Sequence, residues 1–410
     1  MKLVIPKNLF YQLLFLLSVA ITYLNHFEIT ITVWTLVFII SIVNNYSYSF
    51  LKLIIPFVLI LLTATIVMLH YDYEKYFIIR DLTYLVKPIL GLLIGYQLCK
   101  KNILNTFELI SNTAVFIAVV HISIVIFAIL FKNATNLNAI REHGGYFSDY
   151  EVYALVILIF HKDFKFNFSN NKIKIYIILV SFSVFLYFAR TNFIQLLILV
   201  LAMKGYLIIT KKSLVIIISI LTLSIIGYST VLLINPKRNG KGAEAFLYKI
   251  KVAPLEPFKT KINREDYIDF NDNYRSWENI MTIRQVCRDS NWNIAFGKGL
   301  GSQIDLKQEV YLGDMRLRFI SILHNGFMIV FLKSGLFGIA VYLVSIFYFF
   351  KKKKGNSSIL KPINLLFLGT GIFLIISNWV FLGFYNLIDS KTIILGFLIA
   401  YSENQKTLLQ

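Results

Sequence analysis

The chain contains twelve long apolar runs that carry few or no charges, and this feature limits its possible folds more than any other. A helix needs about 20 mostly apolar residues to cross the hydrocarbon core of a bilayer. The runs are rich in leucine and isoleucine and do not alternate with a period of two, so they predict helices and exclude a membrane β-barrel. They lie at about 8–24, 28–43, 50–69, 82–99, 106–131, 149–161, 175–189, 191–209, 213–234, 319–350, 361–383 and 386–401.

We therefore predict an all-α polytopic membrane protein with about twelve transmembrane helices. Charged residues make up only 15% of the chain, against about 25% in an ordinary soluble domain. Residues 1–234 would hold helices 1–9, and residues 319–410 would hold helices 10–12. The intervening residues 235–318 form one large loop. Because long structureless loops are uncommon in compact proteins, this loop should contain short helices.

One of those helices has a clear signal in the loop. Apolar residues recur at helical spacing from Arg275 to Val286, and Asp272 or Asn273 could cap the helix.

The N-terminal segment has a lysine-flanked apolar run that ends in Ser18-Val19-Ala20, which is typical of a signal peptide. The run continues beyond that point and further spans follow, so we expect an uncleaved first helix.

The net charge of +19 follows mainly from lysine, and its distribution predicts the orientation of the helices. Lysine is concentrated in alternate loops, as expected for the cytoplasmic side of a membrane. Both termini should then be cytoplasmic, and residues 132–148 and 235–318 should lie outside. Membrane topology thus explains the basic charge, and no nucleic-acid partner is predicted.

Arginine follows a different pattern from lysine. Under the predicted topology every arginine lies on the outer side or at an outer boundary, although the positive-inside bias accepts either residue. The planar guanidinium binds phosphate through two hydrogen bonds and stays charged when partly buried, which suggests an outward-facing anion site. Alternatively, arginines pair with the loop's own acids, and we favour this reading for Arg264 and Arg288. The arginines are Arg80, Arg141, Arg190, Arg238, Arg264, Arg275, Arg284, Arg288, Arg316 and Arg318.

Three of these arginines stand next to apolar runs. Arg190 lies between two runs, where an ionisable residue marks a functional site by default. Arg141 shortly precedes a helix whose N-terminus would itself favour an anion. For Arg80, a local ion pair with its neighbour Asp81 is an equally good explanation.

His324 opens the helix that follows the large loop. A histidine that is neutral near pH 7 can accept a proton from a hydroxyl group. No HxxxH pattern or carboxylate cluster accompanies it, so no metal site is predicted. The chain also has no phosphate-binding loop or dinucleotide fingerprint, so no cofactor is predicted.

Four motifs occur in a characteristic order, and together they resemble the O-antigen ligase/polymerase superfamily, which includes the Wzy-type polysaccharide polymerases. The chain departs from the family pattern at Tyr150-Glu151, where Pro-Asn is frequent, and at Ala189, where serine is usual. The motifs are Arg141-Glu-His-Gly-Gly-Tyr-Phe-Ser-Asp149, Ala189-Arg190-Thr191, Arg275-Ser-Trp277 with Phe296-Gly-Lys-Gly299-Leu-Gly301, and His324-Asn325-Gly326-Phe327 with Lys333-Ser-Gly335-Leu-Phe-Gly338.

The resemblance implies a GT-C-like helical fold in the bacterial inner membrane, with a periplasmic active site. The donor would be a glycan on undecaprenyl pyrophosphate, and the reaction an inverting displacement without metal or cofactor. Arg141, Arg190 and Arg275 would bind the pyrophosphate, which needs cationic stabilisation as it leaves. His324 would orient or deprotonate the acceptor hydroxyl.

We also expect a substrate contact at Arg80, and the motifs suggest others at Trp277, Gly299 and Asn325. The glycine has two readings, because it could serve only as a loop turn or could let the backbone approach a sugar or phosphate closely.

Three functions remain open at this point. The first is a polymerase that joins lipid-linked repeat units of O-antigen, capsule or exopolysaccharide, with membrane lipid and a chain-length regulator protein as candidate partners. The second is a ligase that transfers finished glycan, in lipopolysaccharide synthesis, to lipid A-core. The third is a flippase for lipid-linked oligosaccharide, although such transporters often have repeat symmetry, which this chain lacks.

Overall fold

The structure is a computed structural model that describes most of the chain. The described residues are 6–101, 105–134, 136–238, 243–254, 256–312, 315–353, 355, 357–386 and 390–407. Each of the twelve apolar runs contains a helix. In chain order the α-helices are α1 (Lys7–Ala20), α2 (Phe27–Ser41), α3 (Tyr48–Met68), α4 (Lys75–Lys100), α5 (Thr106–Phe131), α6 (Leu137–Gly144), α7 (Asp149–Ile159), α8 (His161–Phe164), α9 (Asn170–Leu186), α10 (Arg190–Met203), α11 (Lys211–Ile234), α12 (Ala243–Val252), α13 (Tyr267–Asp272), α14 (Tyr274–Asp289), α15 (Asn291–Phe296), α16 (Gly326–Phe347), α17 (Leu360–Val380) and α18 (Lys391–Thr407).

Short elements complete the description. The 3₁₀ turns lie at Ile21–Leu24, Glu256–Phe258, Tyr348–Phe350 and Gly383–Tyr385. The strands β1 (Ile304–Leu312) and β2 (Met315–Ile320) form an antiparallel hairpin.

Six of the described helices are long and apolar enough to cross a membrane. They span Lys7–Leu24, Tyr48–Met68, Thr106–Phe131, Lys211–Ile234, Gly326–Phe350 and Leu360–Val380. The helices α2 and α10 are apolar but shorter. The prediction of a mostly helical, membrane-embedded protein is therefore confirmed at this level.

Helices α4 and α18 form the centre of the bundle. Glycines allow their backbones to approach closely, as small residues do between membrane helices. A Cβ atom at Gly95 would lie 2.0 Å from the carbonyl oxygen of Ile393, and one at Gly396 would lie 2.1 Å from that of Leu92. Residues 391–400 of α18 are buried throughout. The pair is thus shielded by the surrounding helices, which lets it carry polar groups.

Buried ion pairs connect this centre to its neighbours. Lys391 pairs with Asp149 and joins α18 to α7. Lys333 pairs with Asp81 at 2.5 Å and joins α16 to α4. Charges in such surroundings are tolerated only when they are paired and hydrogen-bonded. These lysines therefore have structural partners inside the bundle.

The two ends of the bundle differ in chemistry. At one end, which we call the lysine end, Lys100 lies 3.9 Å from Glu403, and Tyr96 donates a hydrogen bond to the same carboxylate. Arg80 lies twenty residues before Lys100 on α4, so the opposite end is about 30 Å away at 1.5 Å per residue. We call that opposite end the arginine end.

Helix α14 and the β-hairpin pack on the arginine end and share a second hydrophobic core with α16. Trp277 and Val286 from α14 pack there with Ile304 and Leu306 from β1 and with Leu332 from α16. The helix predicted from Arg275 is present as α14, with Asn273 at the N-cap position but without a side-chain capping bond.

The β-hairpin was not anticipated from the sequence. Ile304 pairs with Ile320, and Val310 pairs with Leu317, with an irregularity between Asp305 and Val310. The hairpin extends past the predicted loop boundary at 318, and α16 begins only at Gly326. The alternation of apolar and polar residues in both strands is the signal that identifies them.

Candidate functional site

Four of the predicted site residues come together at the arginine end. Arg141 lies in α6, Arg190 begins α10, Arg275 is in the first turn of α14, and His324 lies just before α16. Arg190 interacts electrostatically with Arg275, Glu256 and Arg141. Glu256 interacts in turn with Arg275, Arg190 and His324. We call these five residues the arginine–histidine cluster.

Glu256 is the member of the cluster that the sequence did not single out. It lies on the 3₁₀ turn Glu256–Phe258, and its Oε1 atom is 3.8 Å from Nε of Arg275. The hydroxyl group of Ser276 donates a hydrogen bond to the Glu256 carbonyl and holds this turn on α14. Burial raises the pKa of Glu256 above its usual range, whereas Arg275, Arg190 and His324 oppose that rise. An isolated acid in a polar loop gives no sequence signal of such a position.

His324 is oriented by a buried carboxylate. Its Nδ1 atom lies 3.0 Å from Oε1 of Glu278, and its backbone amide donates to Oε2 of the same residue at 3.0 Å. The Glu278 side chain is 1% exposed and that of His324 is 37% exposed. With Nδ1 carrying the proton towards Glu278, neutral His324 presents the lone pair of Nε2. The arrangement suits a general base whose tautomer is held by an acid.

A small buried hydrophobic cluster lies near both arginines in sequence. It consists of Phe147, which follows α6, and of Tyr187 and Ala189, which precede Arg190. The guanidinium of Arg141 lies 5.3 Å from the ring centroid of Tyr146. Its buried Nε atom has no hydrogen-bond partner among the residues that the structure describes. Burial lowers the pKa of Arg141, so an anion placed beside it would be favoured.

Cationic charge exceeds anionic charge in the cluster. The cluster holds three arginines and one carboxylate, Glu256, while Glu278 is engaged by His324. The Arg275 side chain is 32% exposed and is therefore accessible to a ligand. Guanidinium groups bind phosphate ligands through charge-assisted hydrogen bonds.

Arg80 lies at the same end but has a different environment. Its guanidinium packs on the ring of Phe77, at 4.8 Å, and donates a hydrogen bond to Ser321. A local pair with Asp81 was the alternative from sequence. Asp81 pairs instead with Lys333, and it also accepts a hydrogen bond from the amide of Gly301 at 2.7 Å.

Two further predicted contacts serve the fold. The indole of Trp277 is buried and donates to the carbonyl of Leu306 at 2.9 Å, so it links α14 to β1. Asn325 caps α16 through Met328 and donates to the carbonyl of Trp379 at 3.0 Å. We therefore assign structural roles to Trp277 and Asn325.

Gly299 also has a structural explanation. A Cβ atom there would lie 2.4 Å from the amide nitrogen of Met68 in α3, and its φ of +80° favours glycine. Its amide donates to the carbonyl of Lys333 at 3.2 Å. That carbonyl is available because α16 is broken at Gly335, where φ is 64°. The loop-turn reading is the one that these contacts support.

Several of the other arginines have local partners, as the alternative from the sequence proposed. Arg264 is different, because its guanidinium lies over the ring of Trp277 at 5.5 Å. The acid-paired arginines are Arg238 with Asp272, Arg316 with Glu309, and Arg318 with Asp305.

Comparisons with protein-family models, with curated proteins and with solved structures find no match to this chain.

Proposed function

We propose that the protein is a membrane glycosyltransferase that polymerises undecaprenyl-pyrophosphate-linked oligosaccharide repeat units. The observation that carries the proposal is that Arg190 interacts with both Arg141 and Arg275, while Glu256 interacts with Arg190, Arg275 and His324. The three arginines and the histidine come from four separate segments, and the sequence predicts each of them as a site residue. In this proposal the twelve apolar helices all cross the inner membrane in a GT-C-like arrangement, with cytoplasmic termini and a periplasmic large loop.

The cluster divides the chemistry between cations and a base. The arginines bind the donor pyrophosphate and stabilise the charge that develops on it as it leaves. His324 takes the proton of an acceptor hydroxyl through Nε2, while Glu278 holds the ring. The bond between the anomeric carbon and the pyrophosphate oxygen breaks, a glycosidic bond to the acceptor oxygen forms, and undecaprenyl pyrophosphate departs. Direct attack inverts the anomeric centre.

A reconstituted assay tests this function. Purified protein in lipid is supplied with an undecaprenyl-pyrophosphate-linked repeat unit, and the products are separated by length. We expect a ladder of longer chains from the unaltered protein. Arg190→Ala and His324→Ala should each abolish the ladder without loss of membrane insertion, because they remove a pyrophosphate cation and the base. Arg316→Ala is the matched control, since Arg316 pairs with Glu309 on the hairpin.

Two outcomes would contradict the polymerase. Transfer that requires lipid A-core as the acceptor would identify a ligase with the same chemistry. Movement of the lipid-linked repeat across the bilayer without any covalent change would identify a flippase. A normal ladder from both the Arg190 and the His324 variants would refute the site assignment.

A further inference from the structure

A buried chain of three polar side chains lies beneath the arginine–histidine cluster, and no step of the proposed reaction uses it. We propose that Glu151, Ser183 and His121 position Arg141 and Arg190 relative to each other. The inference rests on the proposed function only in taking pyrophosphate as the ligand that the two arginines share. We call these three residues the positioning chain.

The positioning chain joins three helices. The hydroxyl group of Ser183 in α9 donates to Oε1 of Glu151 in α7 at 2.6 Å. The same hydroxyl oxygen lies 2.8 Å from Nδ1 of His121 in α5. All three side chains are buried. Because Ser183 has one proton and gives it to Glu151, His121 must donate from Nδ1, which fixes its tautomer and its ring orientation.

The ring of His121 supports the turn that carries Arg190. It stacks on the ring of Tyr187, with centroids 3.8 Å apart and an interplanar angle of 10°. Tyr187 lies three residues before Arg190, and Phe188 between them has a φ of 47°. A non-glycine residue in this left-handed region is strained and persists only where its surroundings hold it. The stacked ring of Tyr187 supplies that support.

The same two rings pack against the end of α6, the helix that carries Arg141, and against the loop that follows it. A Cβ atom at Gly144 would lie 3.0 Å from Nε2 of His121, and one at Gly145 would lie 3.5 Å from Cε1 of Tyr187. The loop therefore rests directly on the ring pair. Past the glycines, the Ser148 amide donates to Oδ1 of Asn192 at 3.3 Å, which ties the loop to the start of α10.

The two arginines are thus placed from one rigid support. Burying a carboxylate is costly, and an apolar side chain would fill the space at lower cost. A network that fixes one ring orientation explains why polar groups occupy this position. A pyrophosphate shared by two guanidinium groups is sensitive to their separation, and displacements of about 1 Å are enough to weaken such a site.

The first test compares alanine variants of two buried serines. Ser183→Ala breaks the positioning chain, whereas Ser345→Ala removes a buried hydroxyl that bonds only within its own helix, to the carbonyl of Tyr342. Binding of inorganic pyrophosphate is measured by calorimetry on the full chain. We expect Ser183→Ala to weaken binding about tenfold and Ser345→Ala to leave it within about twofold.

Two further comparisons separate positioning from a general loss of stability. Glu151→Gln keeps an oxygen that accepts from Ser183, so it should bind like the unaltered protein, whereas Glu151→Leu should behave like Ser183→Ala. In an Arg190→Ala background, Ser183→Ala should cause little further loss, because the separation of the two arginines no longer matters once one of them is removed. Equal losses in both backgrounds would overturn the inference.

Amide hydrogen exchange without ligand keeps this inference distinct from the proposed function. Exchange in residues 141–148 should become faster in Ser183→Ala and stay unchanged in Ser345→Ala. If the unaltered protein binds no pyrophosphate, the proposed function fails while exchange still decides the positioning role. Unchanged exchange in Ser183→Ala would refute the positioning role even if pyrophosphate binds.

Discussion

Replacing Glu256 by glutamine should strengthen the binding of pyrophosphate. Oε1 of Glu256 lies 3.8 Å from Nε of Arg275, and the carboxylate also interacts with Arg190 and His324. It therefore occupies the electrostatic position that an anionic ligand would take. A ligand must displace or tolerate this charge, and glutamine removes the competition while preserving the shape of the side chain.

The structure gives the order of magnitude. Two unit charges at 3.8 Å interact by about 4 kcal/mol at an effective dielectric constant of 20 and by about 1 kcal/mol in water. The side chains are 32% and 16% exposed, so the effective value lies towards the lower limit. An energy of about 1–2 kcal/mol corresponds to a gain of roughly five- to thirtyfold in affinity.

The effect should depend on pH in a defined direction. Burial raises the pKa of Glu256, so this carboxylate is neutralised at a higher pH than an ordinary glutamate as the pH falls. Glu256→Gln should therefore bind more tightly than the unaltered protein at pH 8, and the ratio should shrink as the pH falls through the raised pKa. Protonation of the ligand itself occurs in both experiments and cancels in the ratio.

Calorimetry with inorganic pyrophosphate measures this ratio from pH 8 to pH 5. Glu309→Gln is the control, because Glu309 is an exposed carboxylate paired with Arg316 on the same end of the bundle. It should leave the affinity unchanged. If Glu256→Gln binds pyrophosphate no more tightly than the unaltered protein at pH 8, Glu256 does not compete with the ligand and the electrostatic argument is refuted.

Two predictions concern the stability of the fold, measured by thermal unfolding in detergent. Asp81→Asn leaves Lys333 buried without its carboxylate partner and should lower the free energy of unfolding by about 3–5 kcal/mol. The control is Asp289→Asn, at a half-exposed residue that pairs with Lys298, which should lower it by less than about 1 kcal/mol. Equal losses of stability would contradict the importance of the buried pair. Gly335→Ala should lower the free energy of unfolding by more than about 1 kcal/mol, because the φ of Gly335 is 64° and a Cβ atom would lie 2.4 Å from the Ala295 backbone. If the variant is as stable as the unaltered protein, the break in α16 is not required.

The parts of the site that could be predicted were charges in an unusual setting. Arg190 stands out because placing an arginine between two membrane-spanning runs has a high free-energy cost, so an arginine found there is a functional candidate. His324 stands out at the start of a helix beside a charged loop. Glu256 and Glu278 are ordinary acids among many in the polar segment, and nothing in their neighbours distinguishes them. Their roles depend on contacts with Arg275 and His324.

The positions of the membrane helices along the chain could be predicted from local sequence. Which helices lie at the centre of the bundle could not be predicted. A bilayer imposes its conditions on each segment separately, since every span must be apolar and must satisfy its own backbone hydrogen bonds. The apolar runs therefore report helices directly. The central position of α4 and α18 depends on glycine contacts such as that of Gly95 with Ile393, which join residues almost 300 positions apart.

The sequence alone determined that this chain is a helical membrane protein, because this property follows from local composition. The tertiary structure decided which charges meet. In the folded protein Asp81 pairs with Lys333 and not with Arg80. Glu256 interacts with two arginines, and Glu278 accepts a hydrogen bond from His324. Such pairings join distant segments through the packing of whole helices, and no local pattern encodes the distance between them.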